Sequence, residues 1–82
     1  MKIEIITTHS TVSGWSAAAW ACDEDWKRYF VGQTDRVFKT EADAIQGLIE
    51  RFQTAPEKSL AGLARELAEG TLAELERKGS LP

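Results

Sequence analysis

Polar and apolar positions alternate at the start of the chain and recur at helical spacing toward its end. In Lys2 to Thr8 (KIEIITT), Ile3 and Ile5 share one face against Lys2 and Glu4, the pattern of a half-buried strand. His9 to Gly14 reads as a polar turn. Trp15 to Cys22 (WSAAAWAC) has two readings. As a strand it sets Trp15, Ala17, Ala19 and Ala21 on one face and Ser16, Ala18, Trp20 and Cys22 on the other. As a helix it aligns Trp15, Ala19, Cys22 and Trp26. Alanine favours the helix. The strand is preferred because Asp23-Glu24-Asp25 makes a turn, and the aromatic, β-branched run Trp26 to Gly32 is suited to pair across it. A second turn at Gln33-Thr34-Asp35 leads to a short strand, Arg36-Val37-Phe38-Lys39.

From Thr40 the period changes. Thr40-Glu41-Ala42-Asp43 has the form of a helix start, with a hydroxyl to accept from the amide three residues on and acids at the positive helix end. Ile45, Leu48, Ile49 and Phe52 follow as one apolar stripe. Gly47 lies inside this helix, and close approach of another backbone would account for it. Thr54-Ala55-Pro56-Glu57 repeats the capping pattern ahead of a second stripe, Leu60, Leu63, Ala64 and Leu67. Thr71 to Glu74 repeats it again after Gly70, so the last segment is either one helix or two broken there. Gly79 and Pro82 close it.

This order predicts a single α+β domain over residues 1–82. A three- or four-stranded antiparallel sheet (1–39) has two C-terminal helices (40–53 and 55–78) packed on one face. Two helices cover only one side of a sheet. The other side should carry aromatics into solvent, and such a surface usually marks an interface. Trp20, Trp26, Tyr29 and Phe30 are the candidate partner-binding residues. If Trp15–Cys22 is a strand, one of Trp15 and Trp20 must point into the core.

Composition adds mainly exclusions. At 82 residues the chain is near the small end of what folds alone, and three Trp, three Phe and one Tyr supply much of its large apolar area. One cysteine gives no disulfide framework, which favours a reducing, cytoplasmic setting. No apolar run approaches a membrane span. The net charge of −3 is spread without polarity between the halves and shows no basic patch of the kind a duplex binder carries.

The chemistry sought in the residues is largely missing. His9 and Cys22 are single of their kind, too few for a zinc site within one chain. Asp23-Glu24-Asp25 lacks the spacing of a calcium loop and reads as a solvated turn. No serine or cysteine sits in a nucleophile frame, and the glycines are scattered singly, without a phosphate loop. The expectation is a non-enzymatic protein with no cofactor and no metal. Lys27, Arg28, Arg36 and Lys39, interleaved with aromatics, are the candidate contacts should the partner be single-stranded nucleic acid. The last helix mixes acids and bases on its polar side, and Leu72, Leu75 and Leu81 could meet a partner helix.

Strands leading through Tyr29-Phe30-Val31-Gly32 to Thr40-Glu41-Ala42-Asp43-Ala44-Ile45 resemble the HicB-type antitoxin domain, a partial RNase H-like β-β-β-α unit, over roughly residues 2–53. The Pro-Gly-Cys-like segment usual in that family between strand and helix is not present. The layout is also similar to small phage-encoded anti-CRISPR proteins, which place a short antiparallel sheet before two helices. Both resemblances imply the same physics: a rigid small domain presents one face to a toxin or a nucleoprotein complex and blocks it. The homodimer expected for the chain rests instead on the uncovered aromatic sheet face. Neither resemblance implies individual site residues.

Overall fold

The computed structural model describes residues 2–79. Three strands, β1 (Lys2–Ser10), β2 (Gly14–Cys22) and β3 (Arg28–Gln33), form an antiparallel meander in the order β1-β2-β3. Two helices follow, α1 (Glu41–Arg51) and α2 (Leu60–Gly79). Both pack against the sheet and against each other, giving an α+β domain. None of the described helices is long and apolar enough to cross a membrane.

The strand reading of Trp15–Cys22 holds, and its parity organises the molecule. Ala17, Ala19 and Ala21 are buried beneath the helices. Their neighbours Ser16, Ala18, Trp20 and Cys22 therefore face the opposite way. Trp15 shares the alanines' parity and packs at the margin of the core, where it stacks on His9 with ring centroids 4.5 Å apart. His9 thus belongs to β1, paired with Trp15, and not to the predicted turn.

The core joins Ala17 and Ala19 to Ala44, Leu48, Phe52 and Ala64, with Ile3 and Ile5 packed against it. Small side chains on β2 let the helices approach closely. At Gly32 the approach is extreme: a Cβ there would lie 2.7 Å from two atoms of the Phe52 ring. Thr40 caps α1, its Oγ1 accepting from the Asp43 amide at 3.1 Å.

Several expectations are corrected. No fourth strand forms at Arg36–Lys39. Phe38 makes one bridge to Trp15, with N–H···O bonds of 2.8 Å in both directions. It lies on the side of β2 that β3 already occupies, so the segment resumes β3's line after a detour through Thr34–Val37 instead of opening a new position. Thr34 anchors that detour, its N–H donating to Ala17 O and its Oγ1 accepting from Ala17 N.

The second helix starts at Leu60, not near Thr54. Pro56 disfavours helical backbone at Ala55. The Ser59 hydroxyl instead accepts from the Gly62 amide at 3.0 Å. Gly70 does not break α2, which runs on to Gly79. Thr71 starts nothing; its hydroxyl donates to Leu67 O, one turn back. The leucine stripe is rotated from its expected place. Ala64 and Ala68 are fully buried, whereas Leu60, Leu63 and Leu67 stay about 40% exposed. Gly47 is approached by the Phe38 ring and not by backbone. Leu81 and Pro82 lie outside the described residues.

Candidate functional site

The face turned away from the helices is built in cross-strand rows, because residues opposite each other in an antiparallel pair share a side. Lys2, Cys22 and Arg28 form the first row, Glu4, Trp20 and Phe30 the second, and Ile6, Ala18 and Gln33 the third. Trp20 and Phe30 meet edge to face at 5.1 Å. Phe30 remains 53% exposed and Ile6 37%. The Arg28 guanidinium lies 4.9 Å over the Trp20 ring and 3.5 Å from the Glu4 carboxylate, so one cation closes the edge of this apolar centre.

Trp26 stands at the end of this face and not in β3, where the sequence pattern sets it. The turn is longer than Asp23-Glu24-Asp25. Asp23 O accepts from the Trp26 amide, and the Asp23 amide donates to Lys27 O. The Asp23 carboxylate accepts from the amides of Asp25 and Lys27 and from the Tyr29 hydroxyl, each at 2.9 Å. The hydrogen bond from the Lys27 amide holds the Asp23 carboxyl below its ordinary value; desolvation, the next-largest influence, pulls the other way, and the bonds from the Tyr29 hydroxyl and the Asp25 amide add to the lowering. The hydrogen bond to Asp23 raises Tyr29. Closing the turn puts Trp26 at φ 66°, a left-handed conformation that glycine or asparagine normally takes, and leaves the residue 86% exposed. Trp26 lines a shallow groove with Lys2, Cys22, Asp23 and Glu24, which continues from the first row.

Of the four aromatic candidates, Trp20 and Phe30 are in contact and Trp26 extends their surface. Tyr29 is not brought to them. It pairs with buried Ala21 and belongs to the helix side, at the open margin of β3. The irregularity that leaves Val31 unpaired, between Trp20↔Phe30 and Ala19↔Gly32, changes the face on which later β3 residues stand.

The cationic candidates separate into two groups. Lys27 and Arg28 stand at the Cys22 end of β2. Arg36, stacked on Phe38, and Lys39 stand near its Trp15 end, about 23 Å away along the strand. Among the described residues, no group of three His, Cys, Asp or Glu side chains is placed to hold a metal ion.

Sequence reasoning did not foresee Ile6 on this face, nor the Glu4–Arg28 pair that borders it. The alternation Lys2-Glu4-Ile6 across from Cys22-Trp20-Ala18 was the available signal. Comparison of the chain with family models, with curated proteins and with solved structures finds no match.

Proposed function

We propose that the chain is a non-enzymatic protein-binding module that docks its partner on the uncovered sheet face. One observation carries this reading. Trp20 and Phe30 form an edge-to-face pair at the centre of a face no helix covers, with Ile6 beside them and Trp26 presented at its end. Aromatic side chains dominate interface energetics, and here they need no rearrangement to be reached. The Glu4–Arg28 pair supplies a polar rim on one side. The resemblances in strand and helix order supply the class of partner: a toxin or a nucleoprotein complex that the domain covers. The lone thiol, half-buried Cys22, is consistent with a reducing, cytoplasmic setting.

Co-purification of the tagged chain from its native host tests the proposal. Phe30→Ser should keep the fold and lose the captured protein, with an affinity loss of about thirtyfold or more for a central anchor. Trp15→Ala should unfold the domain, whereas Trp20→Ala should fold and fail to bind. Capture that survives Phe30→Ser and Trp20→Ala would sink the proposal.

Single-stranded nucleic acid is the second reading, favoured by the Arg28 guanidinium over the Trp20 ring on an open sheet. Binding to oligonucleotides at ~50 mM salt that weakens steeply as salt rises would support it. No binding there disposes of it.

A further inference from the structure

We propose that the chain self-associates through α2. The stripe Leu60, Leu63, Leu67 and Gly70 is a seam for the antiparallel α2 of a second copy, with Leu60 of each protomer seated over Gly70 of the other. This goes beyond the reading of the outer sheet face and uses none of its residues.

α2 turns small side chains inward and large ones outward. Ala64 and Ala68 are fully buried, while Leu60, Leu63 and Leu67 stay exposed. Those leucines are not scattered. Positions 60, 63, 67 and 70 follow at intervals of three, four and three, the spacing that lines one stripe of a helix. At about 100° per residue, the stripe lies roughly on the opposite flank of α2 from Arg65. Arg65 donates to the carbonyls of Phe52 and Gln53 at the end of α1. A second helix along the stripe therefore meets α2 on the side away from that contact.

Gly70 says what covers the stripe. A glycine inside a helix weakens it and needs a reason. At Gly14, Gly32, Gly47 and Gly62 a neighbouring atom occupies the space a Cβ would need. At Gly70 nothing lies within 4 Å of that position. Within one chain the gap serves no packing.

Between two copies it does. Leu60 and Gly70 stand at equal distances on either side of position 65, and so do Leu63 and Leu67. A two-fold axis at that midpoint sets each Leu60 against the second copy's Gly70, and each Leu63 against the second copy's Leu67, a self-complementary contact. The leucine fills the space the glycine leaves, and the helix axes come close together. A parallel pairing would set glycine against glycine and leave a void in the seam. One stripe thus carries both the knob and the matching hole.

Two features keep the association weak. Three partly exposed leucines fall well short of the ~800 Å² per partner of a standard interface. Glu66 stands beside the seam at its midpoint and faces its own copy across the axis, a like-charge pair. The dissociation constant should therefore be on the order of 100 μM, so the dilute chain is monomeric.

Sedimentation equilibrium of the full chain, from well below that concentration to well above it, tests the proposal. The chain should pass from monomer to dimer. Gly70→Leu is the deciding variant. It adds apolar surface to the stripe, so an unspecific apolar contact would tighten. Here the new side chain collides with the second copy's Leu60, and the dimer should weaken about tenfold or more. Leu60→Ala should weaken it about fivefold, and combining the two substitutions should restore most of the affinity, because knob and hole are exchanged. Glu66→Gln should tighten it about twofold. Circular dichroism melts on the dilute variants confirm that each is folded. Phe30→Ser should dimerise as the parent chain does, which separates this seam from the outer face. The proposal is overturned if the chain stays monomeric at the highest concentration, if Gly70→Leu tightens self-association, or if the double variant is no better than either single one. It is equally overturned if Glu66→Gln weakens the dimer, if Phe30→Ser abolishes it, or if the stripe proves to take a helix of another protein instead.

Discussion

The same substitution at two helical glycines should change stability in opposite directions. Gly70 sits inside α2, and a Cβ there would meet nothing within 4 Å. Gly70→Ala should therefore recover most of the helix-interior penalty of glycine, about 1 kcal/mol. Gly47 sits inside α1, where a Cβ would lie 2.9 Å from Phe38 Cε2, 3.1 Å from Cε1, and closer still to Cζ. That ring is held by its own backbone bridge to Trp15 and by Arg36 stacked upon it, so it has little room to withdraw. Overpacking typically costs about 1–3 kcal/mol, which outweighs the recovered propensity and leaves a net loss of about 1 kcal/mol. The two variants should thus differ by about 2 kcal/mol. Urea unfolding followed by tryptophan fluorescence reads this directly. With a slope near 1 kcal/mol/M for so small a domain, the midpoint should rise about 1 M for Gly70→Ala and fall about 1 M for Gly47→Ala. In a Phe38→Leu background, Gly47→Ala should lose its penalty, a coupling of about 1 kcal/mol or more. Equal stabilisation by both substitutions, or no coupling to Phe38, would refute the argument.

Trp26→Gly should be more stable than Trp26→Ala by about 1 kcal/mol, because both lose the same side chain and only alanine keeps the strain at φ 66°; thermal melts in which alanine equals or exceeds glycine would contradict the turn geometry. Asp23 has a depressed carboxyl, so its contribution is in place above its ordinary value of 3.8 and is lost as pH falls through the lower folded value. Asp23→Asn should flatten the stability–pH curve below about pH 4, and an unchanged acid slope would deny the carboxylate that role. Tyr29 is shifted upward, so its contribution is present below 10.0 and lost as pH rises through the higher folded value. Tyr29→Phe should remove that alkaline loss, as stability measured between neutral and alkaline pH would show. Finally, Ala19→Val should destabilise by about 1–3 kcal/mol, since Ala19 is fully buried under the helices, whereas Ala18→Val on the open face should be near neutral. Equal effects in chemical denaturation would mean that the two faces of β2 are not distinguished as described.

The fold and the candidate site were legible in the sequence to different depths, and β2 explains why. A strand reading of Trp15–Cys22 has one consequence that no neighbour can undo: Trp15 and Trp20 must stand on opposite sides. Three alanines at one parity leave room for helices, so the helices pack there and Trp20 is left on the open side. What the sequence concealed depends on backbone conformation and not on hydrophobicity. The turn after Cys22 consumes Trp26 because the Asp23 side chain closes it onto Lys27, which no periodicity announces. The unpaired Val31 alters the parity of β3 and parts Gln33 from the alternation that places Phe30. In α2 the larger side chains promised burial, yet a helix lying close to a small-residue surface turns Ala64 and Ala68 inward and displaces Leu60, Leu63 and Leu67 to the margin. The same close packing that fills the inside with alanine thus leaves the larger Trp20, Phe30 and Ile6 on the outside, where burying them requires a partner.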